Sequence, residues 1–175
     1  MSLVEEVTLV DANGKAIGTA EKMSAHRQGL LHSAVSVFLF DQKGRMLLQR
    51  RAFHKYHCGG LWANSCCSHP RPSELPEHTA SRRIFEELGV SASLERIGTH
   101  LYRANVGNGL VENEYVYLFR GTLENDEMTL NSEEVADVTY LYPDEIRNLR
   151  ERKDNLAPWF AIYLEQIGDL VCAAP

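Results

Sequence analysis

Ala34–Phe40 (AVSVFLF) is apolar at every position but Ser36, and this run restricts the architecture more than any other stretch. A strand with one wet face alternates apolar and polar side chains. A near-continuous apolar run is the mark of a strand covered on both faces. Such a strand needs a packed layer on each side, so helices or further sheet must flank it. Asp41-Gln42-Lys43-Gly44 then turns the chain and Arg45–Arg50 returns as a partner strand, giving a hairpin.

The remaining elements interleave. Glu6–Val10 and Lys15–Ala20 read as strands joined by a turn at Asp11–Gly14, and Ser24–Leu31 as helix or loop. Phe53–Gly60 is irregular, Trp62–Cys67 a short strand, and Val90–Leu101 a strand with a connector. Leu110–Arg120 and Glu134–Leu141 are further strands. Glu77–Leu88 is expected to be helical, with Ala80, Ile84 and Leu88 on one stripe and Gly89 as the stop. Pro143–Arg150 and Ala157–Leu170 close the chain as helices. The class is α/β or α+β: a mixed sheet flanked by helices in one domain over residues 1–175, with its core at about 30–165.

Composition narrows the function. A length of 175 residues supports an adequate core without staples. The net charge of −6 argues against a nucleic-acid or anionic-membrane binder. Two local basic clusters, Arg50/Arg51/Lys55 and Arg82/Arg83, suit capture of a small anion, although isolated basic pairs are more often solvated surface. Cys58, Cys66, Cys67 and Cys172 lack the spacing of a disulfide framework, and no stretch reaches transmembrane length. The N-terminal run lacks the features of a signal sequence. A reducing, cytoplasmic setting is the expectation. The final Cys172-Ala173-Ala174-Pro175 lacks the aliphatic residues of a prenylation box.

The chemistry concentrates in two segments. In Asn64-Ser65-Cys66-Cys67-Ser68-His69-Pro70, an extended backbone places Ser65, Cys67 and His69 on one face and Cys66 on the other. In Val111-Glu112-Asn113-Glu114-Tyr115, period two puts both carboxylates on one face of an otherwise apolar strand. Burying them requires a cation or a shared proton; a solvent-facing edge is the plainer alternative. Adding His26 and His32, which flank a bend at Gly29, and His69 makes a nitrogen–oxygen set suited to a divalent ion. His54, His57, His78 and His100 lack such company. On the helix, Arg82/Glu86 and Arg83/Glu87 are spaced as ion pairs, or Glu87 holds Mg²⁺ against a diphosphate.

Together these residues resemble a family. Ser68, Glu74, Arg82 and Glu86-Glu87-Leu88-Gly89-Val90 have the register of the Nudix box, with Ser68 in place of its Gly and Arg83 in place of a Glu. Ala63–Pro70 and Glu112-Asn113-Glu114 are similar to the T-N-x-x-C-x-H-P and E-N-E motifs of one Nudix branch, the type I isopentenyl-diphosphate isomerases. Ala63 stands where Thr is usual, and His57-Cys58-Gly59-Gly60 replaces an aromatic-Pro-Gly approach. The likeness runs from about Glu21 to Trp159.

The resemblance implies a Nudix-like fold and interconversion of isopentenyl and dimethylallyl diphosphate by a 1,3 proton shift. It implies Cys67 on one side of the substrate and Glu114, with Tyr102 beside it, on the other. Lys22, Arg51, Lys55 and Arg83 would hold the diphosphate, and Trp159 would face the developing cation, a contact of about 1–2 kcal/mol. It implies Mg²⁺ on the diphosphate through Glu87, and a second divalent ion (Mn²⁺, Mg²⁺ or Zn²⁺) on His26, His32, His69, Glu112 and Glu114. The ligand would be a small isoprenyl diphosphate, with no nucleic acid or membrane, and the chain a monomer, with a homodimer as the alternative. The competing expectations are a Nudix hydrolase of an organic diphosphate and a non-catalytic binding module.

Overall fold

The computed structural model describes residues 5–149 and 155–175. The apolar run becomes β3 (His32–Phe40), buried at every position. Its alternate residues face two separate cores. Ala34, Phe38 and Phe40 pack with Phe160, Tyr163 and Leu164 of α4 (Pro158–Gln166). Val35, Val37 and Leu39 pack with Ala80, Ile84 and Leu88 of α2 (Pro76–Leu88). The expected layer on each side is present.

One edge of β3 pairs along its whole length, in parallel, with β8 (Leu110–Thr122), from His32 opposite Glu114 to Phe40 opposite Thr122. Three segments share its other edge. These are β1 (Glu6–Val10) at His32, β6 (Cys66–Ser68) at Val35–Val37, and β4 (Met46–Arg51) at Phe40. The anticipated β3–β4 hairpin therefore pairs only at its turn and then splays. Side chains close the gap. Ser65 Oγ accepts from Leu39 N (2.8 Å) and donates to Leu47 O (2.6 Å), while Asn64 Nδ2 donates to Val37 O (3.0 Å). Buried backbone groups left without a strand partner are costly, and these two residues meet that need. β4 continues against β5 (Trp62–Ala63) and β9 (Val135–Leu141).

Other expectations need adjusting. Trp62–Cys67 is not one strand, because the Asn64-Ser65 wedge breaks it into β5 and β6. Ser65 consequently leaves the face it was expected to share with Cys67. β2 is Ala16–Glu21, and α1 (Lys22–Gln28) is a helix that starts before the expected Ser24 and stops before Leu31, its first N–H groups capped by Glu21. β7 extends over Leu94–Gly107, well past Leu101, because it pairs with nearly all of β8. α3 is Pro143–Asn148, and Arg150, its expected end, lies outside the described residues. The last helix is interrupted at Ile167 and resumes as α5 (Gly168–Val171).

Candidate active site

A cavity of about 360 Å³ opens at the end of β3 where the chain passes from α1 into the sheet. Gly29, at φ 62°, ends α1 in the left-handed conformation. A side chain there would press on the Arg103 guanidinium. The turn brings His26 and His32 to a ring separation of 4.9 Å, and His69 lies 5.4 and 5.0 Å from them. His26 Nδ1 is 2.7 Å from Lys22 O, and His32 Nδ1 is 2.8 Å from Leu30 O. Backbone contacts of this kind fix the ring orientation and leave Nε2 free. Both Nε2 atoms are buried without a hydrogen-bond partner. Asn113, between the two glutamates, points away from them and donates to Gly29 O at 3.0 Å, tying β8 to the same turn.

Glu112 and Glu114 do share a face, and both are buried. Tyr102, paired with Glu114 across β7 and β8, places its hydroxyl 2.7 Å from a carboxylate oxygen of each. One hydroxyl carries one proton, so two such contacts call for a proton on one of the acids. Burial, reinforced by the neighbouring Glu114 charge, pushes Glu112 well above the usual carboxylate range. Burial pulls Glu114 the same way, but His32 and His69 overcome it and hold Glu114 well below that range. His69 Nε2 lies 2.9 Å from Glu114 Oε1. Burial lowers His26, and takes His69 down to about 4 against the pull of Glu114, so both imidazoles are neutral at ordinary pH. Neutral imidazole is the metal-binding form. Ligand atoms from His26, His32, His69 and Glu114 all lie within 4.8 Å of one another. Buried, unpartnered nitrogens beside an ionised carboxylate suit one divalent cation.

Cys67 lines the same cavity. Its thiol donates to Asn64 Oδ1 at 3.1 Å and lies 3.2 Å from Ser36 Oγ, which in turn is 2.9 Å from the Tyr163 hydroxyl. Burial pushes this thiol up to about 12, so at neutral pH it carries its proton. Cys66 faces the opposite core, as the strand alternation requires.

The basic residues divide. Lys22, Arg51, Lys55 and Arg83 line the cavity, whereas Arg50 turns away, stacks on Phe53 and donates to Gly60 O. Arg82 is tied to Glu74 and Glu86. Several of the cavity cations already hold carboxylates. Lys22 pairs with Glu5 (3.1 Å), Lys55 with Glu134 (2.5 Å), and Arg83 with Glu86 (2.7 Å), Glu87 (2.6 Å) and Glu134 (3.2 Å). Glu87 is also held by Gln49 at 3.0 Å. Trp159 is buried on the cavity wall with the Arg51 guanidinium 5.1 Å from its ring.

Some participants were not foreseen. Glu134 bridges two cations from a loop before β9, and Asn64 and Ser36 reach Cys67 through pairings that no local pattern reveals. His57, set aside for lack of company, is buried beside Glu112, its Nε2 3.3 Å from Glu112 Oε1.

The curled mixed sheet between helices, with the Glu74–Val90 loop and helix along one face, defines the class. A NUDIX domain model matches residues 30–160, and this chain belongs to that family. Within it, the chain belongs with proteins named isopentenyl-diphosphate Delta-isomerase. The one from Streptomyces coelicolor is 49% identical over 160 residues, covering 90% of this chain and 80% of its own length. The one from Serratia proteamaculans is 42% identical over 168 residues, covering 94% and 92%. Among solved structures, DR0079 from Deinococcus radiodurans superposes with a TM-score of 0.77 at 15% identity, covering 93% of this chain and 98% of its own. The Nudix hydrolase RenU from M. smegmatis gives 0.60 at 21%, covering 96% of each. Those two likenesses concern the fold alone.

Proposed function

We infer that this protein isomerises isopentenyl diphosphate to dimethylallyl diphosphate. A proton is added to the terminal methylene carbon and another is removed from the carbon two bonds away, so the double bond moves and nothing is lost. An isolated alkene is a very weak base, and the tertiary cation formed by protonating it reacts readily with water. The reaction therefore asks for acid and base groups held on a small, dry cavity. The observation that carries the reading is that the protonated Cys67 thiol and the Tyr102-bridged Glu112/Glu114 pair open onto one cavity with cations among its lining.

Cys67 exchanges a proton on one side of the hydrocarbon, and Glu114, oriented by the Tyr102 hydroxyl, on the other. Lys22, Arg51, Lys55 and Arg83 bind the diphosphate. Trp159 presents its indole toward the cation, with Arg51 bracing the ring. His26, His32, His69, Glu112 and Glu114 would hold a divalent ion (Mn²⁺, Mg²⁺ or Zn²⁺), which supplies the charge that keeps the glutamates ionised. Glu87 would hold a Mg²⁺ that accompanies the diphosphate. The same reading takes the chain as a monomeric, single-domain cytoplasmic enzyme acting on a free small molecule. Net charge −6 supports that choice over a polyanion partner. Diphosphate hydrolysis is disfavoured because Arg83 stands where the Nudix box has a glutamate and also pairs with Glu86.

Incubation with isopentenyl diphosphate, Mg²⁺ and heavy water tests this. Deuterium in dimethylallyl diphosphate without phosphate release is the expected outcome. Phosphate release without isomerisation would overturn it.

A further inference from the structure

His57 is buried, and neither of its ring nitrogens has a hydrogen-bond partner. An imidazole stripped of water on both nitrogens is costly unless something satisfies it. Its Nε2 lies 3.3 Å from Glu112 Oε1 without hydrogen-bond alignment, and its ring is 6.0 Å from that of His26. One ligand atom from each of His26, His57 and Glu112 falls within 4.8 Å of the others, a second grouping beside the His26/His32/His69/Glu114 set. The two groupings have His26 in common. Because His26 Nδ1 is engaged by Lys22 O, only Nε2 is available, and one lone pair serves one ion.

We propose that His57 is an additional ligand of the single divalent ion, joining from the Glu112 side to complete a donor set of four imidazoles and two carboxylates. This rests on the metal-centre reading above and extends it. The loop is built to deliver the ring. Arg51 Nη2 donates to His57 O at 3.2 Å, and the ring stacks edge-on to Tyr56 and Trp159 at 4.4 and 5.9 Å. Cys58 follows in the left-handed region at φ 53°, a strained conformation for a residue with a side chain. A fourth imidazole makes the site favour nitrogen-preferring ions such as Co²⁺ or Zn²⁺ over Mg²⁺.

Co²⁺ alone is the probe, with affinity from calorimetric titration and geometry from the visible absorption band, in wild type, His57→Phe and His57→Gln. The expected result is one Co²⁺ per wild-type chain. Both variants should bind it at least about tenfold more weakly and with a shifted band, while apo melting temperatures stay close to wild type. An unchanged affinity and band in either folded variant overturns the proposal but leaves the metal centre standing. Failure of the wild type to bind Co²⁺ overturns both. Should neither variant fold, anomalous diffraction from Co²⁺-loaded wild-type crystals decides. An ion at about 2.1 Å from a His57 nitrogen supports the inference, and one beyond hydrogen-bonding distance overturns it.

Discussion

At the scale of single residues, the site works by giving similar groups different protonation states. Cys67 keeps its proton because burial outweighs its two polar contacts, while the contacts with His32 and His69 hold Glu114 ionised against its burial. Replacing Cys67 with Ala should lower kcat by about 10²–10⁴ with diphosphate affinity and melting temperature nearly unchanged; near-normal turnover would reject its role. Glu114→Gln should abolish turnover and also reduce bound divalent ion, because His32 and His69 lose the charge that now faces them. Metal analysis of the purified variant against wild type checks this. Cys67, His69, Glu112 and Glu114 were legible in the sequence because period-two alternation fixes which side chains share a face. His57 was not. It sits in an irregular loop, and its company comes from β8 and α1, contacts that no local periodicity encodes.

At the scale of elements, the apolar run of β3 and the stripe on α2 were readable, since each states how many faces are covered. The splaying of β3 from β4 was not, because it depends on a wedge from a later segment. Ser65 is that wedge. Ser65→Ala leaves Leu39 N and Leu47 O buried without partners, at a cost of about 1–3 kcal/mol, and should lower the melting temperature by several degrees. Just before α2, the Glu74 carboxylate takes two 2.7 Å hydrogen bonds from Arg82 and is held down to about 2 against partial burial. A group depressed in the folded state stabilises fully above its ordinary range near 4.5, and that contribution is lost as pH falls toward 2. Melting curves of wild type and Glu74→Gln should therefore differ most above pH 5 and converge in acid. A difference that stays constant across that window would show that the pairing does not set the slope.

Across the whole molecule, the proposed ligands come from α1, β3, the loop between β4 and β5, the segment after β6, and β8, which are far apart in sequence and meet at one end of the sheet. An ion bound there stabilises only the folded chain, by about 2.7 kcal/mol at a hundred times its dissociation constant. Dialysis against a chelator should lower the melting temperature, and Mn²⁺ or Zn²⁺ should restore it; identical melting with and without chelator would contradict a metal centre joining these segments. Mixed-sheet class and helix flanks were legible from the interleaving of elements. The convergence was not, because it arises from the parallel β3–β8 pairing, set by burial on both faces instead of by any turn.

Glu5 and Glu134 already pair with three of the cavity's four cations. On the proposed reading, an arriving diphosphate would swap places with resident anions and fill no electrostatic vacuum. Starting material and product carry the same doubly phosphorylated tail, so a grip that is too strong would stall the cycle at departure. The resident glutamates would then act as counterweights, reclaiming their lysines and arginine as the altered hydrocarbon leaves.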